Sequence, residues 1–247
     1  MALVLVHGVP ETSAVWDHLR AELTRDDVVT PLLPGFGCAR PAGFGATKEE
    51  YAAWLVSELE PLAVQGPVDL VGHDWGGGFV VRVVSTRPDL VRSWVSDAAG
   101  IGDVDFEWHA VAKIWQTPDE GEQFFEQQLS VPPEERGPVY EMFGLPPDRA
   151  VDLAGWVDPV MAGCILDLYR SAVHVGTEWG PDFKDIPRPG LVLIPTEDLF
   201  LPSDGAATSA RRAKAAVQQL EGIGHWWMLQ DPVLGARVLE SFWSSLS

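Results

Sequence analysis

Gly72-His73-Asp74-Trp75-Gly76 is the stretch on which the reading of this chain turns. It follows a short apolar run at residues 68–71 and precedes a helical pattern that stops before Arg87-Pro88. Small residues at both ends permit a sharp strand-to-helix turn, which lifts the central side chain to the top of a sheet. That side chain is Asp74. A serine there needs a base before it can attack, whereas an aspartate is already ionised near neutral pH. A carboxylate attacking an ester or amide gives a reactive anhydride. Displacing a leaving group from a saturated carbon gives an ordinary ester. The competing reading is a glycine-rich turn with a surface or helix-capping aspartate.

Outward from the elbow, residues 3–6, 68–71, 92–96, 191–194 and 217–220 read as β-type runs buried on both faces, as in a parallel sheet. Helical patterns separate them. One is opened by the capping box Thr47-Lys48-Glu49-Glu50, another follows the elbow, and a third starts at Asp231-Pro232. Alternation of this kind predicts a doubly wound α/β sheet. Residues 104–180 break it: they hold no clear strand, are rich in Trp, Phe and Pro, and include a helix opened by Thr117-Pro118-Asp119-Glu120. They read as a helical insertion over the C-terminal edge of the sheet.

Two further residues fit the chemistry of Asp74. His225, in Gly222-Ile223-Gly224-His225-Trp226-Trp227, lies between the last strand and the last helix. It is placed to act as the general base that activates water against an Asp74 ester. Asp198, after the strand 191–194, is the favoured acid to orient the imidazole, with Asp97 as the alternative and Glu197 as a solvated neighbour. The order nucleophile, acid, histidine suits this kind of sheet. The backbone N–H of Val9, in His7-Gly8-Val9-Pro10, can form an oxyanion hole with that of Trp75.

Composition bounds the partners. A formal net charge of −19 over 247 residues disfavours nucleic acid and anionic membrane surfaces, and is read as serving solubility. No Cys/His spacing suggests a metal, and no metal or organic cofactor is expected. Cys38 and Cys164 are read as two buried free thiols, which fits a cytoplasmic protein. The N-terminal apolar run is too short for a signal sequence, and no stretch approaches membrane-span length.

His7-Gly8-Val9-Pro10-Glu11, Pro34-Gly35-Phe36-Gly37, the Asp74 elbow with Gly77, and Gly224-His225 together resemble the α/β-hydrolase superfamily, over nearly the whole chain. Within it they resemble the branch of epoxide hydrolases and haloalkane dehalogenases. The resemblance implies a mostly parallel sheet with flanking helices and a helical cap. It divides the chain into a core at 1–103, a cap at 104–180 and a second core part at 181–247. The first strand resembles the family's third, so the first two are expected to be lacking. Pro10-Glu11 and Tyr169-Arg170 look like the epoxide side, where cap tyrosines donate to the epoxide oxygen. No second tyrosine precedes Trp115-Gln116-Thr117-Pro118, and Tyr140 lies elsewhere; a His–Tyr pair in one epoxide hydrolase subgroup makes His109 the candidate partner. Trp108 and Trp115 are expected to bind substrate, with cap packing as the competing reading for His109 and Trp108. Trp75 suits either activity, and Trp115 as a halide ligand is the dehalogenase alternative. Trp75 speaks against a fluoroacetate dehalogenase, which places Arg after the nucleophile. The expected partners are a small apolar or aromatic epoxide and water, with the chain a monomer or homodimer. The other rival is a silent binding protein on the same fold.

Overall fold

The computed structural model describes residues 2–201 and 203–246. Six strands form one sheet: β1 (Leu3–Val6), β2 (Val28–Val29), β3 (Val68–Gly72), β4 (Val91–Ser96), β5 (Gly190–Pro195) and β6 (Ala216–Leu220). Their spatial order is β2-β1-β3-β4-β5-β6, and every pair is parallel. The chain runs from β1 outward to β2 and then returns across β1 to β3. The sheet order therefore reverses between β1 and β3, and a crevice opens beyond their C-terminal ends, where open α/β sheets bind ligands.

The period-two alternation of the strands divides the core. Val4, Val6, Leu70 and Ile194 pack on one face, while Leu3, Leu5, Val71, Val95 and Leu193 pack on the other. Each is buried, and each contributes about 1.5–3 kcal/mol of apolar transfer. β6 departs from expectation: only Leu220 of its residues is buried. It is an edge strand, so one whole side meets solvent. Cys38 also departs, being exposed while Cys164 is buried.

Several elements were not expected, among them the short helix Asp17–Glu22, a second strand and a helix before the last strand. β2 is two residues long and flanked by Asp26-Asp27, too short to show alternation. The helix Ser203–Ala213 fills the space between β5 and β6. Its buried stripe is Ala206, Ala210 and Ala213, and alanines give little hydrophobic contrast in sequence. Between β4 and β5 lie the helices Ala110–Gln116, Glu120–Leu129, Pro133–Glu141, Pro147–Trp156, Pro159–Ser171 and Val175–Trp179. Three of them begin with Pro, whose fixed φ suits the first helical position. Arg170 ties two of them together with hydrogen bonds of 2.8 and 2.7 Å to Glu122. None of the described helices is long and apolar enough to cross a membrane.

Candidate active site

The elbow forms as its residue types require. A side chain at Gly76 would overlap the Val6 carbonyl, and one at Gly72 would overlap the Gly76 carbonyl. The helix Trp75–Thr86 can start this close to β1 and β3 only with glycine at both positions. Asp74 between them has φ 50° and ψ −122°, and its side chain makes no capping hydrogen bond to the helix it precedes. Backbone strain of this kind costs on the order of 1–3 kcal/mol and collects at functional positions. The capping explanation for this aspartate therefore fails.

The Asp74 carboxylate instead turns toward the end of β1. Val9 N–H donates to its Oδ1 at 2.8 Å, and the backbone N–H of Trp75 lies close enough to lower the carboxyl. Burial pushes the Asp74 carboxyl up to about 6, against the opposing pull of His225 and His73. Its Oδ2 lies 3.8 Å from His225 Nε2, beyond a hydrogen bond but within reach of a shared water. On the far side of the ring, His225 Nδ1 sits 2.8 Å from Asp198 Oδ2. Asp198 lies in the turn after β5, and the N–H groups of Phe200 and Leu201 donate to its Oδ1 at 2.7 and 3.2 Å. Burial disfavours the His225 cation, but the Asp198 carboxylate outweighs it and raises the imidazole above its ordinary range. The same pairing holds Asp198 low despite burial.

Asp97, the alternative acid, is engaged elsewhere. It accepts from Trp227 Nε1 at 2.7 Å and from the Asp74 N–H at 2.9 Å, and it faces His73 Nδ1 at 2.5 Å. His73 Nε2 in turn faces Glu11 Oε1 at 3.0 Å. Sequence reasoning gave Glu11 and His73 no role of their own; their only signal was membership of the quoted motifs. Glu11, His73 and His225 bring ligand atoms within 4.8 Å of one another. Glu11 and His73 spend those atoms on each other, and Glu11 also accepts from Trp226 Nε1 and Gly8 N–H. A metal would have to break these bonds.

A cavity of about 180 Å³ opens over Asp74, lined among others by His225, Tyr169, His109, Trp115 and Val9. Tyr169 is held by three indoles: Trp115, Trp108 and Trp75, with ring centroids at 4.8, 5.0 and 5.6 Å. Burial, followed by the Asp74 charge, keeps its phenol protonated well above its ordinary value. His109 Nδ1 accepts the Ala112 N–H at 3.2 Å, so it caps the helix Ala110–Gln116. Burial pushes His109 down to about 4. A neutral ring that accepts at Nδ1 carries its proton on Nε2 and is a donor there. Trp108 does not line this cavity. It donates to the Ala172 carbonyl at 2.9 Å and stacks behind Trp75, against a small cleft on the other flank of Asp74. The indole nitrogens of Trp75 and Trp115 are buried and meet no hydrogen-bond partner; the Trp75 N–H leans on the Tyr169 oxygen without reaching bonding geometry.

A carboxylate on a strained elbow, with an imidazole and a second carboxylate at the ends of later parallel strands, defines an α/β hydrolase. The chain belongs to the alpha/beta hydrolase family, whose family model matches residues 3–237. Among curated proteins it is similar to (E)-2-((N-methylformamido)methylene)succinate hydrolase of Acinetobacter baylyi, at 25% identity over 86% of this chain and 78% of that protein. It is 33% identical to epoxide hydrolase 2 of Siraitia grosvenorii, over 38% of this chain and 31% of that one. Among solved structures, haloalkane dehalogenase DbeA of Bradyrhizobium elkani superposes with a TM-score of 0.75. That match has 18% identity and covers 99% of this chain and 90% of that one. At such identity the likeness is one of fold.

Proposed function

We propose that this hydrolase opens a small apolar or aromatic epoxide to a vicinal diol through a covalent ester on Asp74. The observation that carries the reading is the Asp74 carboxylate itself, held by the Val9 N–H beside that of Trp75, within one cavity that also holds His225 and Tyr169. Asp74 attacks a ring carbon, and the breaking C–O bond leaves its electrons on the epoxide oxygen. Tyr169 gives that oxygen its proton, with His109 Nε2–H as the second donor. His225, oriented by Asp198, then takes a proton from water, and the hydroxide adds to the Asp74 ester carbonyl. The N–H groups that hold the resting carboxylate are positioned for the oxyanion. Collapse frees the diol, whose oxygen takes the carboxyl proton. His225 returns its proton to the Tyr169 phenolate. The largely apolar lining suits an apolar substrate, and the site calls on no metal or organic cofactor.

The unpartnered indole N–H groups of Trp75 and Trp115 favour a second reading, a haloalkane dehalogenase that releases halide to those donors from the same ester. One experiment separates the two. In His225→Gln the ester cannot be hydrolysed, so an aryl epoxide and an alkyl bromide are offered separately and the intact mass is measured. The epoxide is expected to add to Asp74. Labelling by the bromide alone overturns the epoxide reading, and labelling by neither overturns both.

A further inference from the structure

Beneath the reacting groups lies a second charged assembly that the reaction does not consume. His73 stands between two carboxylates, with Nδ1 at 2.5 Å from Asp97 and Nε2 at 3.0 Å from Glu11. All three side chains are buried. Every other partner of the two carboxylates is a fixed donor: the indoles of Trp226 and Trp227 and the amides of Gly8 and Asp74. Each carboxylate oxygen therefore faces donors, and each ring nitrogen faces an acceptor. A neutral imidazole has one N–H and would set its bare nitrogen against a carboxylate lone pair. With both carboxylates ionised, as their fixed donors favour, only the doubly protonated ring satisfies both contacts, and an unsatisfied buried contact of this kind is costly.

The cation adjoins both reacting groups. Asp74 is the next residue, and the His225 ring lies 4.6 Å away, centroid to centroid. We propose that His73 is a standing imidazolium and the positioning residue for both: it favours the ionised form of Asp74, the nucleophile, and the neutral form of His225, the base, with Glu11 and Asp97 as its anchors. The assignment of those two roles rests on the proposed function. The anchors also fix the reacting groups mechanically, since Asp97 accepts the Asp74 N–H and Glu11 accepts the indole of Trp226, the neighbour of His225. The charges that reach the site point the same way. His73 lowers both the Asp74 carboxyl and the His225 imidazole, while Glu11 raises Asp74 and Asp74 and Asp198 raise His225. His7, the remaining ring nearby, is pushed down to about 4 by burial and stays neutral.

The test needs no substrate. In protein labelled with ¹⁵N in its histidine rings, His73 is expected to show two protonated nitrogens at pH 8. A singly protonated His73 ring at that pH overturns the proposal even if no variant folds. In His73→Gln, which keeps donors but not charge, the His225 midpoint is expected to rise by about one pH unit. An unmoved midpoint overturns the tuning role. A parallel arm compares His225→Gln with the His73→Gln/His225→Gln double variant for labelling by an aryl epoxide. Rates are expected to differ ~5-fold at pH 6 and to converge by pH 9, whereas a merely structural defect would slow both pH values alike and count against the proposal. If the rings behave as expected but Asp74 is never labelled, the cation stands and the epoxide reading fails.

Discussion

Replacing Asp74 with asparagine should make the protein more stable, and by an amount that depends on pH. Burial raises the Asp74 carboxyl from an ordinary 3.8 to about 6. The folded state therefore holds this proton more tightly than the unfolded chain, and ionising it opposes folding. Above pH ~6 both states are ionised and the full cost applies; below pH ~4 both are protonated and it vanishes. Two units correspond to about 3 kcal/mol, reduced to about 2 kcal/mol because 13% of the side chain meets solvent. Asparagine keeps the backbone conformation, and its Oδ1 can still accept the Val9 N–H, so the backbone strain cancels in the comparison. The expected gain at pH 8 is about 2 kcal/mol, or ~4–8 °C in Tm for a chain of this size, with roughly half of it left at pH 5. Urea unfolding of parent and variant at the two pH values measures it. An Asp74→Asn protein no more stable than its parent at pH 8, or one with equal gain at both pH values, would refute the claim that Asp74 carries a charge its surroundings resist.

Tyr169→Phe should slow epoxide opening on the order of 10²-fold or more and leave labelling by an alkyl bromide unchanged, read by intact mass in a His225→Gln background. Asp198→Asn should slow ester breakdown by ~10³–10⁴-fold and spare ester formation, which single-turnover mass spectrometry resolves. Asp97→Asn should instead show in denaturant unfolding as a loss of about 3–5 kcal/mol, because it leaves His73 a buried charge with one anchor. Gly76→Ala should cost about 3 kcal/mol or more by the same measurement, since its methyl group meets the Val6 carbonyl of the sheet. Ester formation, followed by single-turnover labelling, should fall as pH drops through about 6, where Asp74 takes up its proton; an acid limb near pH 4 would argue against it.

The sheet was largely legible because four of its strands are buried on both faces and so read as unbroken apolar runs. β6 was legible only as a run, since its Gln218 and Gln219 face outward on an edge. β2 and the helix Ser203–Ala213 were not, for lack of length in one and of hydrophobic contrast in the other. That Asp74, His225 and Asp198 would meet was legible because each lies in the loop that leaves the C-terminal end of a strand, and parallel strands deliver such loops to one edge. Their mutual distances match that placement. Residues whose part depends on side-chain direction were harder to read. Trp108 and Trp115 look alike in sequence, yet only Trp115 reaches the cavity. The contacts among Glu11, His73, Asp97, Trp226 and Trp227 have no spacing rule, because they are made across the sheet rather than along the chain.

Those five residues come from four separated stretches of chain, and the bond between Trp226 and Glu11 spans 215 positions. Any partly folded form that lacks one stretch strands a charge or an indole in an apolar interior. The assembly therefore penalises half-formed states more than it rewards the finished one, and the parts of the sheet on either side of the helices inserted between β4 and β5 should fold together. It also places late, sequence-distant contact formation at the centre of the molecule, so slow folding and sharp unfolding should go together.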